Sequence, residues 1–231
     1  MMFRELLRIW SEHTFSQLVI DEFLSMLDDS RNMLSYVFKV LTAEGKGKKF
    51  DEKVYKKDQQ INLTEREIRE KVLIHLSTNP KANIPACLAL ISIVKDAERL
   101  GDYVKNLFEL KALLKDSKGN TELFKKLFAE NGADLMDLFQ KVHTAFKDSD
   151  KVLAHEAIKS GHQISKRCED IINEVVESDY NAKQAVVAAL GARYIKRIAV
   201  HLTNIVSSIT NPLPELDYID GENREVDNKT R

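Results

Sequence analysis

The sequence has few of the residues that interrupt helices. Glycine occurs 8 times and proline 4 times in 231 residues, while charged residues make up 31%. That mix belongs to long solvated helices joined by few turns. Cysteine is scarce too: Cys87 and Cys168 lie inside apolar helical patterns and have no CxxC partner. They are read as reduced, buried small hydrophobes, which points to the cytoplasm. Long hydrophobic runs are also missing. The opening MMFRELLRIWSEHTF carries charges in its first residues and no uninterrupted apolar core, so it is read as neither a signal peptide nor a membrane span. With 35 basic and 36 acidic side chains there is no excess of one sign to suggest nucleic acid. The chain also lacks GxxxxGK[ST], GxSxG and any suggestive Ser, His and Asp constellation. The reading is therefore not an enzyme, with no catalytic residue and no organic cofactor site assigned.

What the sequence does contain is helical periodicity. From Phe15 to Leu41 the apolar residues recur at helical spacing, giving a long amphipathic helix. A second helix is predicted from Phe50 to Ser77, and a third from Ile84, with Pro85 in its first turn, to Leu114. The same order then repeats, with helices from about Thr121 to Phe146, Asp150 to Glu177 and Asn181 to Thr210. KDAERLGDYVKNL (95–107) lies over RYIKRIAVHLTNI (193–205), matching Arg99 with Arg197, Leu100 with Ile198, Asn106 with Asn204 and Leu107 with Ile205. The predicted fold is all-α, two tandem three-helix bundles related by duplication. A short N-terminal helix spans 1–13, the first repeat 14–118 and the second 119–210; 211–231, without periodicity, is read as a mobile tail. Trp10, Phe3 and Leu7 are expected to pack on the chain's own bundle, with docking to a transporter, a membrane edge or a second subunit as the alternative. The basic segment AEGKGKK (43–49) is read as a solvated connection rather than a phosphate or membrane contact.

The third helix carries an anomaly. Ile84, Cys87 and Ile91 share one line, and the next positions on it are Glu98 and Asp102. The second helix does the same, placing Asp58 and Glu65 within the stripe Val54, Ile61, Ile68 and Val72, with Asn62 beside Asp58. Burying ionised carboxylates unpaired costs several kcal/mol each, so facing acids imply a cation between the helices. Asp58, Asn62, Glu65, Glu98 and Asp102 are the candidate metal ligands, and their oxygens suit a hard cation. The alternative is a hydrogen-bonded polar cluster without metal. In the second repeat Lys196 and Val200 replace Glu98 and Asp102, while Gly161 and Ser165 replace Asp58 and Asn62. No carboxylate remains there, and His155, His162 and His201 share no single face. Gly101, in mid-helix, predicts close approach of a neighbour.

At Glu98-Arg99-Leu100-Gly101-Asp102 and Asp58-Gln59-Gln60-Ile61-Asn62 the sequence resembles the PhoU family, whose two three-helix repeats carry E(D)xxxD pairs and an ERIGD run. The resemblance covers the chain to about residue 210; the second repeat keeps the frame of the motif without its acids. It implies a cytoplasmic regulator of phosphate transport, held by contact with a phosphate transporter component or a sensor kinase. It further implies a divalent or trivalent metal, as an iron or zinc cluster, self-association as a homodimer, and peripheral association with the inner face of the membrane. The alternatives are a soluble accessory domain of a sodium–phosphate cotransporter and a structural scaffold without metal.

Overall fold

The computed structural model describes residues 13–42, 51–113 and 120–216. Six long helices follow one another: α1 His13–Thr42, α2 Asp51–Thr78, α3 Ile84–Leu113, α4 Asn120–Asp148, α5 Lys151–Val176 and α6 Ala182–Thr210, then a short 3-10 turn, Leu213–Glu215. No strand occurs among the described residues. Residues 1–12 of the predicted N-terminal helix, with Phe3, Leu7 and Trp10, lie outside them, as does the segment 43–49.

Local chemistry fixes the helix ends. The Asn83 side chain accepts from the Ala86 N–H at 3.1 Å as α3 begins. Asp150 accepts from the N–H groups of Val152 and Leu153 at the start of α5, and Asn181 and Gln184 form a reciprocal capping box at the start of α6. The α4–α5 connection is a Schellman turn: the Asp150 N–H reaches the Ala145 carbonyl and the Ser149 N–H that of Phe146, with Ser149 at φ 51°.

α1, α2 and α3 pack on one another, as do α4, α5 and α6, and the two bundles meet through α3 against α6 and α1 against α4. Each helix buries an apolar stripe, so one core runs through both bundles. Phe23, Leu27, Leu34, Ile61, Ile68, Leu90, Leu100 and Leu107 fill the first, while Leu135, Phe139, Ile164, Ile195, Ile198 and Leu202 fill the second. Phe23 meets Phe146 across the α1–α4 contact with ring centroids 4.6 Å apart. Gly101 lets α2 and α3 approach: a Cβ there would lie 3.0 Å from Ile61 Cδ1.

The α3–α6 crossing is antiparallel and nearly self-symmetric. Asp96 on α3 pairs with His201 on α6, and Tyr103 on α3 faces Tyr194 on α6 at 6.1 Å between centroids. In the duplicated sequence Tyr194 corresponds to Asp96 and His201 to Tyr103. Each pair is thus the image of the other under exchange of the bundles, which follows if the two copies of one unit pack through the same face.

Of the segment 211–231 read as a mobile tail, residues 211–216 are packed in place, and 217–231 lie outside the described residues. Asn211 caps α6 through its N–H to the Ser207 carbonyl, its side chain donates to the Glu215 carbonyl, and Leu213 and Leu216 pack against the core. Proline and the absence of helical spacing hide this from a periodicity argument, because two leucines suffice to pin a turn that is not a helix.

Candidate metal centre

Helical spacing on α2 and α3 brings the acids to one seam of the first bundle. Asp58 is only 6% exposed. Its Oδ2 accepts a hydrogen bond from Lys105 Nζ at 2.8 Å, and the same ammonium donates to Asp102 Oδ1 at 2.9 Å. Lys105 therefore bridges α2 and α3 between two of the candidate ligands. Arg99 Nη1 donates to the other oxygen of Asp102 at 3.1 Å and lies 3.5 Å from Glu98 through Nε. Glu65 pairs instead with Arg69 on its own helix at 2.8 Å.

The charges of this seam are incompletely balanced. Glu98, with its side chain 15% exposed, has its pKa pushed up to about 7 by burial, then by the Asp102 charge, with Glu65 adding to it and Arg99 opposing. For Lys105, burial favours the neutral amine, yet the hydrogen bonds and charges of Asp58 and Asp102 outweigh it and raise its pKa. Two acceptors are left over: Asp58 Oδ1 and Asn62 Oδ1 are buried without a hydrogen-bond partner. Such atoms cost roughly 1–3 kcal/mol each.

The structure thus joins Asp58 to Asp102 through Lys105 and sets Glu98 within electrostatic reach of Asp102 and Glu65. It leaves Asn62 Oδ1 buried and unpaired. Among the described residues no three His, Cys, Asp or Glu side chains are gathered closely enough to hold a metal as they stand. The side chain that fills the space between the acids, Lys105, was missed because a search for ligands on these helices attends to acids. Its signal was available: it stands three residues after Asp102, where the two share a helical face.

The second bundle closes the contact that corresponds to Asp58 and Lys105 without a charged pair. Gly161 on α5 meets Thr203 on α6, the positions that correspond to Asp58 and Lys105; a Cβ on Gly161 would lie 2.2 Å from Thr203 Cγ2. Cys168, in the place of Glu65, is buried, and burial raises its thiol pKa to about 12. Lys196, in the place of Glu98, turns to Glu169 on α5. His155 and His162 are exposed, whereas His201 points out of its own bundle to α3.

Sequence reasoning also missed a polar cluster buried between the bundles. His201 Nδ1 lies 2.6 Å from Asp96 Oδ1, and Asn204 Nδ2 donates to the same oxygen at 3.4 Å. Arg197 Nε donates to the Tyr103 hydroxyl at 3.1 Å and its Nη2 lies 3.2 Å from His201 Nε2. Because guanidinium nitrogens only donate, Nε2 is the acceptor and Nδ1 carries the proton given to Asp96. The His201 ring stacks on Tyr103 at 5.5 Å.

Among the described residues these features define a helical protein built from two fused copies of a three-helix bundle, with an acid-rich seam in the first copy. Comparison with known proteins places it further: residues 23–110 match the PhoU domain. The resemblance to the PhoU family read from the sequence is thereby borne out. The chain is 28% identical over 163 residues to a Thermotoga maritima protein named phosphate-specific transport system accessory protein PhoU homolog 1, covering 68% of this chain and 70% of that one. Its fold is that of PhoU from Pseudomonas aeruginosa (TM-score 0.73, 20% identity, 85% of this chain and 95% of that one). It is equally that of the phosphate transport system regulatory protein PhoU from Streptococcus pneumoniae (TM-score 0.72, 16% identity, 87% and 94%).

Proposed function

We propose that this chain is an accessory, regulatory protein of a phosphate transport system that works by protein contact with a transporter component or sensor kinase, and that its first bundle holds a hard metal cation. The observation that carries the cation site is the pair of orphaned acceptors, Asp58 Oδ1 and Asn62 Oδ1, buried in a seam where Asp58 is joined to Asp102 through Lys105. The donor chemistry suits such an ion once the side chains close on it: Asp58, Asn62, Glu98 and Asp102 would hold it, with Glu65 at the margin, and all supply oxygen. When bound, the ion supplies positive charge that neutralises these carboxylates. Asp58 and Asn62 would offer it oxygen from α2, and Glu98 and Asp102 from α3. An all-oxygen set favours iron or another hard ion over a zinc site built on thiolates. No helix among the described residues is long and apolar enough to cross a membrane. We place the protein in the cytoplasm, meeting its partner at the inner face of the membrane and self-associating as a homodimer.

Phosphate uptake in cells lacking the protein, compared in phosphate-rich and phosphate-starved medium, tests the regulatory role. Uptake that no longer responds to phosphate, restored by the wild-type chain, is the expected result. Normal regulation in the deletion strain, with no transporter component or kinase captured by the tagged chain, would reject it.

A further inference from the structure

The Lys105 ammonium lies between Asp58 on α2 and Asp102 on α3, within hydrogen-bond reach of both carboxylates. The second bundle shows that helix packing does not require it. There the corresponding contact is a threonine methyl against a glycine, and the helices still close. A lysine is needed at this position only where the acids are present. It is also placed to leave. The side chain is 21% exposed, so its long stem can carry the ammonium out to solvent while the stem stays on the helix. Lys105 and Asp102 lie one helical turn apart, so the ammonium competes as an intramolecular cation at high effective concentration.

Resting on the reading of the first bundle as a cation site, we propose that Lys105 is a tethered competitor for that site: it bridges Asp58 and Asp102 in the cation-free protein and must swing out before a metal ion binds, thereby setting the metal concentration at which the site fills. Two consequences separate this role from a simple structural bridge. Without Lys105 the cation-free protein is left with buried, like-charged carboxylates, so it is less stable until metal arrives. The metal-bound protein no longer needs Lys105, so its removal tightens binding.

Calorimetric titration of the full chain with Mn2+ and with Zn2+, paired with thermal melts in chelator and in saturating metal, tests this on the wild type, Lys105→Met, Lys105→Arg and Asp58→Asn. Lys105→Met is expected to bind Mn2+ at least tenfold more tightly than the wild type, to melt lower in chelator, and to regain that loss when metal is added. Lys105→Arg, which keeps the charge, should bind within about threefold of the wild type. If Lys105→Met does not fold in chelator, Lys105→Thr, the residue of the second bundle, decides by the same titration. Metal binding that Asp58→Asn abolishes, but that is unchanged or weakened by Lys105→Met, overturns the competitor role while the cation site stands. No binding of either ion by the wild type and by the Lys105 variants overturns the cation site, and this inference with it.

Discussion

Gly161→Ala probes the second bundle at the point where it replaces the charged seam with close packing. An alanine there gains about 1 kcal/mol in helix propensity, since α5 is an unbroken helix across residue 161. Its Cβ, however, would stand 2.2 Å from Thr203 Cγ2, with the Ala199 carbonyl at 3.5 Å and Leu138 Cδ2 at 3.6 Å. Only the first contact is impossible. Thr203 cannot simply rotate, because its hydroxyl donates to the Val200 carbonyl at 2.8 Å. Overpacking of this kind costs about 1–3 kcal/mol, so after the propensity gain the net loss is expected at about 0–2 kcal/mol. Thr203→Ser removes the offending methyl, keeps the hydroxyl, and alone costs about 1 kcal/mol. The double variant relieves the clash and should recover most of the stability, giving a coupling energy of about 1 kcal/mol or more. Urea unfolding followed by circular dichroism on all four proteins measures it. Additive effects, or a Gly161→Ala chain more stable than the wild type, would show that α5 and α6 are not in contact there and would remove the match between this pair and Asp58 with Lys105.

The folded-state pKa of Glu98 lies above its ordinary 4.5, at about 7, so the folded protein binds that proton more tightly and stability falls as pH rises between those values. In chelator, Glu98→Gln should therefore gain on the wild type at pH 8, by at most about 3 kcal/mol, and lose the advantage by pH 4; equal melts across that range would deny the buried carboxyl. Asp96→Ala leaves the buried His201 Nδ1 and Asn204 without their shared acceptor and should cost about 3 kcal/mol in urea unfolding, whereas a loss below about 0.5 kcal/mol would mean the bundles are not locked through this cluster. A chain ending at Thr210 should melt several degrees below one ending at Leu216, because Leu213 and Leu216 pack on the core; identical melts would restore the view of a free tail.

The fold was legible because it rests on periodicity. Stripes such as Val54, Ile61, Ile68 and Val72 have one reading, and all four are buried. The duplication was legible because Arg and Asn recur at matching positions of α3 and α6 and Leu there is replaced only by Ile. Gly101 announced its close contact with Ile61 because nothing else places glycine in the middle of a long helix. Other features depended on partners far apart in sequence. Asp96 and His201 look like a polar interruption and an isolated histidine until α3 crosses α6. The Lys105 bridge was hidden for a different reason: lysine on a helix is ordinarily a solvated residue, and only Asp58 on a neighbouring helix turns it inward. Leu213 and Leu216 belong to no repeating pattern, so their packing on the core is visible only in three dimensions.

Metal per chain, measured by plasma emission spectrometry on protein purified without chelator, is the most direct measurement. The wild type should carry metal, Asp58→Asn with Asp102→Asn should carry none, and Cys168→Ala in the second bundle should match the wild type. Metal absent from both the wild type and Lys105→Met, or metal that survives the double substitution and disappears when His162 or His201 is replaced, would contradict a cation site in the first bundle.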